Sequence, residues 1–131
     1  MKNFIVLTCF FLLIYSCNRS ISLQYTPPEI VSGNTGIDLI ENSGAGQTVY
    51  IIEATGNVEI ASYFIGGDDA DLLTLNNNTV SLDANPDFEV KSSYRFEVTV
   101  SDAEGDISEI QGVSFSIIDV DETPQFVLNF C

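Results

Sequence analysis

From residue 30 onward apolar and polar positions alternate with a period of two, the spacing of strands that bury one face. The clearest run sets Tyr94, Phe96, Val98 and Val100 against Arg95, Glu97 and Thr99, and Val113, Phe115 and Ile117 repeat it around Ser114 and Ser116. Shorter apolar runs predict strands over 37–40, 48–54, 60–65, 72–75 and 80–82. Turn residues separate them: Gly44-Ala45-Gly46, Gly56-Asn57, Gly66-Gly67-Asp68-Asp69 and Asn76-Asn77-Asn78. Asp102 to Asp106 close the last hairpin, with Gly105 where a positive φ is needed. Seven such strands without a helical period predict an all-β fold, a seven-stranded Greek-key β-sandwich of the immunoglobulin-like kind. The chain has 131 residues, which fits one domain and leaves no room for a second copy of such a unit.

The first residues follow another pattern. Lys2 precedes an apolar stretch of 12 residues, 4–15, that closes on Ile14-Tyr15-Ser16-Cys17. A helix needs roughly 20 residues to cross a bilayer, so residues 1–16 read as a signal peptide and not as an anchor. The Ile-x-Ser-Cys ending resembles the lipobox of bacterial lipoproteins. That resemblance implies cleavage before Cys17, a lipid on its thiol, and attachment to a cell-envelope membrane through the lipid only; plain secretion is the alternative. Residues 17–29, with Pro27-Pro28, read as an extended tether, 30–126 as the folded domain and 127–131 as a tail. Cys9 leaves with the signal and Cys131 has no evident partner; a Cys17–Cys131 disulfide stays open if Cys17 is not acylated.

Composition narrows the function. Against 4 Lys+Arg stand 19 Asp+Glu, with no His and no Trp, a net charge of -15. Loss of Lys2 leaves 3 basic residues against the same 19 acids, or -16. Three cations cannot neutralise a run of phosphates, which excludes nucleic acid as a partner and makes anionic lipid a poor one. A hydrophobic content of 45% is too high for a disordered acidic tail. The absence of His removes the commonest general base and the commonest transition-metal ligand. Oxygen ligands are abundant, and they suit a hard cation such as Ca2+. Asp87 and Glu89 could in principle serve as an acid–base pair, but with no His, no Trp to stack on a sugar and no pocket motif, the chain reads as no enzyme.

The acids fall in groups: Glu41 beside Asn42, Asp87 and Glu89 after Pro86, Asp119, Asp121 and Glu122 after the last strand, and Asp68, Asp69 and Asp71 in a loop. The last group lacks the regular spacing of a calcium loop and reads as solvated. In a seven-strand Greek key the loop with Asp87 and Glu89, before the penultimate strand, and the end of the last strand with Asp119, Asp121 and Glu122 can meet at one end, where carboxylate repulsion is relieved by a divalent cation. A solvated loop for Asp87–Glu89, and a polar exit from the last strand for Asp119–Glu122, are the plain alternatives.

Together, Ile40-Glu41-Asn42, Asn85-Pro86-Asp87-Phe88-Glu89 with Tyr94, Val100-Ser101-Asp102-Ala103-Glu104-Gly105, and Asp119-Val120-Asp121-Glu122-Thr123-Pro124 resemble one cadherin repeat covering about 30–126. The resemblance implies calcium at the junction between repeats. It implies that Glu41 bridges ions, that Asp87 and Glu89 form an Asp-x-Glu pair, and that Asp119, Asp121 and Glu122 stand in the linker motif, with Val120 giving its carbonyl. Asp121 replaces the family's usual Asn and Glu122 its usual Asp. The family's Asp-x-Asp falls at Thr55-Gly56-Asn57 and is missing, so Asp102 is expected to hold the turn at Gly105. A single repeat without neighbours implies a half-junction with one or two ions; two would bring the charge to -12. Adhesion to another protein, or to a like domain in trans, is implied by the family, although strand exchange through an N-terminal Trp is unavailable. The competing expectation is a calcium-independent spacer or assembly subunit of the envelope.

Overall fold

The computed structural model describes residues 25–122. The signal peptide, Cys17 and most of the tether, and the tail with Cys131 lie outside the described residues. The strands are β1 (Glu29–Ile30), β2 (Leu39–Ile40), β3 (Gln47–Ile51), β4 (Ala54–Thr55), β5 (Ile60–Gly66), β6 (Leu73–Asn76), β7 (Thr79–Leu82), β8 (Ser93–Asp102) and β9 (Gln111–Ile118). A short 3-10 turn, Ala70–Leu72, leads into β6.

Two sheets face each other. One has the order β2-β9-β8-β5 and the other β3-β7-β6, while β1 pairs with β4. All ladders are antiparallel except β2 with β9. The chain crosses between the sheets after β2, before β5, after β5 and before β8, which makes the Greek-key sandwich expected from the alternation. Every predicted segment contains a strand. The 48–54 segment is divided, because Ile52 turns inward to 1% exposure and its N–H bonds the Asn78 carbonyl at the β6–β7 turn. Residues 25–29, expected in the tether, lie on the domain instead: Glu29 pairs with Thr55.

Alternation fixes the core. In β8 the residues Tyr94, Phe96, Val98, Val100 and Asp102 are buried and the intervening ones are not; β9 buries Val113, Phe115 and Ile117. Phe96 packs edge-on against Tyr50 and Phe115, and Tyr94 stacks on Phe115 with ring centroids 4.9 Å apart. Each such side chain, fully buried, contributes about 1.5–3 kcal/mol. Gly36 lets the segment before β2 pass between the sheets: a Cβ there would sit 2.8 Å from the Val49 carbonyl oxygen. Its N–H bonds Ser114 in one sheet, and the next N–H, of Ile37, bonds Val49 in the other. Glu41 is thereby delivered to one end of the sandwich, beside the end of β9 and the start of β8.

Candidate metal centre

Three loops meet at that end. Leu39 and Ile40 pair with Ile117 and Ile118, and the Glu41 N–H continues the ladder to the Ile118 carbonyl at 3.1 Å. Asn42 then takes a left-handed conformation (φ 57), which Asn tolerates better than most residues. Its N–H bonds the Pro86 carbonyl at 2.8 Å, and the Asn85 side chain accepts the Gly44 N–H at 2.7 Å. Pro86 is fully buried. The loop carrying Asp87 and Glu89 is thus fixed against the end of β2.

Glu41 is 3% exposed. One carboxylate oxygen accepts the Val120 N–H at 2.6 Å and the other the Phe88 N–H at 3.3 Å. These two oxygens offer about four acceptor positions, so about two remain for another donor or a cation. Glu41, Asp87 and Glu89 each place a carboxylate oxygen within 4.8 Å of the others. Asp87 also accepts the Val90 N–H at 3.0 Å through one oxygen, which leaves the other free for a ligand role. Asp119 precedes Val120, whose N–H bonds Glu41.

The electrostatics show acids under mutual pressure. The Glu41 carboxyl is held below its ordinary range, first by the Val120 N–H; desolvation opposes this, and the Phe88 N–H adds to it. For Glu89 a bond from its own N–H favours the charged form, but desolvation and the charges of Glu41 and Asp119 outweigh it and push the carboxyl up. Among the described residues the one ion pair joins Lys91 to Asp69 at 3.0 Å, so no basic side chain pairs with this cluster.

The remaining expected ligands behave differently. Glu122 accepts a hydrogen bond from the Asn42 amide at 3.0 Å, which aims it at the β2 loop. Asp121 is exposed and lies outside the group of three. Asp69 is no solvated loop residue: besides Lys91 it accepts the Arg95 N–H at 2.7 Å, pinning its loop to β8. Its carboxyl is held low; desolvation pulls against the Arg95 N–H and the Lys91 ammonium, which prevail.

Ten residues of β8, about 30 Å at 3.3 Å each, separate this end from Asp102. Asp102 is 4% exposed and accepts the N–H groups of Glu104 and Asp106, each at 3.0 Å, so it holds the Gly105 turn as expected. Its other oxygen accepts the hydroxyl of Tyr25, a partner not anticipated because Tyr25 falls in the presumptive tether. An aromatic residue just ahead of Pro27-Pro28 was the available signal. The Tyr25 bond is the first cause that lowers the Asp102 carboxyl, with desolvation opposing and the turn N–H groups assisting.

Two facing sheets of this order find structural counterparts among solved proteins. The fold is cadherin-like. The human protocadherin-24 EC1-2 structure is similar at 17% identity and a TM-score of 0.60, covering 72% of this chain and 44% of that one. Protocadherin gamma B2 extracellular cadherin domains 3-6 superpose at 0.63 with 22% identity, over 73% of this chain and 23% of that one. Drosophila N-cadherin EC1-3 gives 0.63 with 19% identity, over 74% and 35%. The cadherin-like chain therefore spans less than half the length of these solved structures. No protein-family model and no curated protein matches it.

Proposed function

We propose that this protein is a calcium-binding, membrane-tethered cadherin-like module that acts in cell adhesion or envelope protein–protein interaction. The observation that carries the reading is the convergence of Glu41, Asp87 and Glu89 within 4.8 Å with no basic side chain paired to them among the described residues. The donor set fits calcium: oxygens bound at 2.3–2.6 Å around one ion lie up to about 5 Å apart, and all three ligands are carboxylates. Glu41, fixed by two backbone N–H groups, would position the ion. Asp87 and Glu89 would supply the loop side, and Asp119, with Asp121 or Glu122 after rearrangement, the strand-exit side. A bound cation would supply the positive charge that the protein lacks there. The lipid on Cys17 would supply the membrane attachment, and another protein, or a like domain in trans, the adhesive partner.

Extracellular calcium modules bind with constants near 10⁻⁴ to 10⁻³ M. At about 1 mM calcium and a constant of about 10⁻⁴ M, linkage stabilises the fold by roughly 1.4 kcal/mol, a melting shift on the order of 5–10 °C. Equal melting temperatures in calcium and in chelator would remove calcium from the account. The second reading, a calcium-independent spacer or assembly subunit, is favoured by the bonds that already tie Glu41 to Phe88 and Val120. Beads coated with the protein separate the two: calcium-dependent aggregation supports adhesion, and none in either condition supports the spacer.

A further inference from the structure

Strand β5 ends its sheet and pairs with β8 alone among the described residues. Its seven residues, Ile60-Ala61-Ser62-Tyr63-Phe64-Ile65-Gly66, contain neither a charge nor a Pro. Exposed edges present unpaired N–H and C=O groups, and proteins ordinarily guard them with Lys, Pro, shortness or bulges. The other edges here are guarded. Strands β2 and β6 have two and four residues, and β3 is held from its far side by the Ile37 N–H on the Val49 carbonyl. On β5 the one such device is an irregularity between Ile60 and Ser62 at its first turn, which leaves the rest of the ladder regular. Phe64 stands 48% exposed in the middle of that stretch.

The ends of the strand say what can lie there. Glu59 precedes it and Asp68 follows Gly66-Gly67; both are exposed, and neither has an ion pair among the described residues. Either direction of approach therefore meets an acidic group at both ends. A second copy of this chain would bring its own Glu59 and Asp68 to those ends, in a molecule of net charge -15, and would be repelled.

We propose that the β5 edge is a strand-addition site for an extended protein segment with an uncharged, β-prone middle and a basic residue at each end. Backbone bonds along the edge supply affinity, Phe64 supplies an apolar contact, and the acidic ends select for Lys or Arg. The seven residues of β5 span about 20 Å at 3.3 Å per residue, with Glu59 just before them and Asp68 just past the turn at Gly67, so the matching basic residues flank an extended middle of about eight positions.

The test titrates the full chain into a labelled ten-residue peptide of alternating Thr and Val with Lys at both ends. Saturable binding is expected, at least about fivefold tighter than for the same peptide ending in Glu, with the difference shrinking as salt rises. N-methylation of every internal amide, which keeps the side chains but removes the backbone donors, should abolish binding. Amide exchange should slow within residues 60–66 on peptide addition. Equal affinity for the Lys- and Glu-ended peptides, binding that survives N-methylation, or protection confined to another strand would overturn the proposal. Sedimentation equilibrium adds a last arm: a dimer dispersed by Phe64→Lys would assign the edge to a second copy and overturn the basic-segment partner.

Discussion

The two ends of the sandwich each bury a carboxylate, and they solve the problem in opposite ways. Asp102 has a protein donor for each demand: two turn N–H groups on one oxygen and the Tyr25 hydroxyl on the other. Glu41 has two N–H donors as well, but Asp87 and Glu89 crowd around it without a basic partner among the described residues. One end is saturated by the fold, and the other keeps acceptor capacity and excess charge. A buried carboxylate alone does not mark an ion site. What marks one is acceptors in excess of donors, with like charges gathered where the fold could have kept them apart.

The largest expected effect tests the saturated end. Asp102→Ala strands three donors, two of them in a tight turn, and should lower the melting temperature by about 10 °C or more, equally in calcium and in chelator. A loss confined to calcium-containing buffer would mean that Asp102, too, serves an ion. Glu41→Gln should do the reverse, abolishing the calcium-dependent rise of about 5–10 °C while changing the melting temperature in chelator less than Asp102→Ala does. If the variant keeps the calcium response, Glu41 is not the organising ligand.

Acidification should act in opposite directions on Asp102 and Glu89, with Glu41, also held low, following Asp102. Asp102 has a folded-state pKa below its ordinary 3.8, so its stabilising contribution is present above that value and is lost as pH falls through the folded one. Glu89 has a folded-state pKa above its ordinary 4.5, so stability is gained as pH falls through the folded value and is fully present below 4.5. In chelator the melting temperature should therefore rise slightly as pH falls toward 4.5 and fall in stronger acid. Glu89→Gln should flatten the mild-acid rise and leave the acid fall; a rise that persists in this variant would place the crowding elsewhere. The smallest effect is expected of Tyr25→Phe, which removes one donor and should lower the melting temperature by a few degrees while raising the Asp102 pKa, readable by carbon-detected NMR titration.

Much of this was legible in the residues. Strict alternation at Tyr94–Val100 and Val113–Ile117 fixed the faces of β8 and β9, because a period of two admits one assignment of inside and outside once one face is apolar. The acids of the Glu41 and Asp87-Phe88-Glu89 motifs were placed together by their resemblance to a cadherin repeat. The departures share a physical cause: they depend on which loop reaches which, and periodicity carries no such information. The 48–54 run gave no sign that Ile52 would bond to the Asn78 carbonyl and split the strand. Tyr25 stands between Gln24 and Thr26 and finds its partner 77 residues away. Asp69 looked like one of three solvated acids until Lys91 and the Arg95 N–H were brought to it. Glu122 was grouped with Asp119 by proximity in sequence, yet its carboxylate turns to Asn42.

Under the proposed function a cation would complete the Glu41 end, and calorimetric titration with calcium measures that directly. The account predicts saturable binding with a dissociation constant of about 10⁻⁴ to 10⁻³ M for the parent protein and none for Glu41→Gln. An absence of binding heat in the parent, or the same isotherm in both proteins, would contradict it.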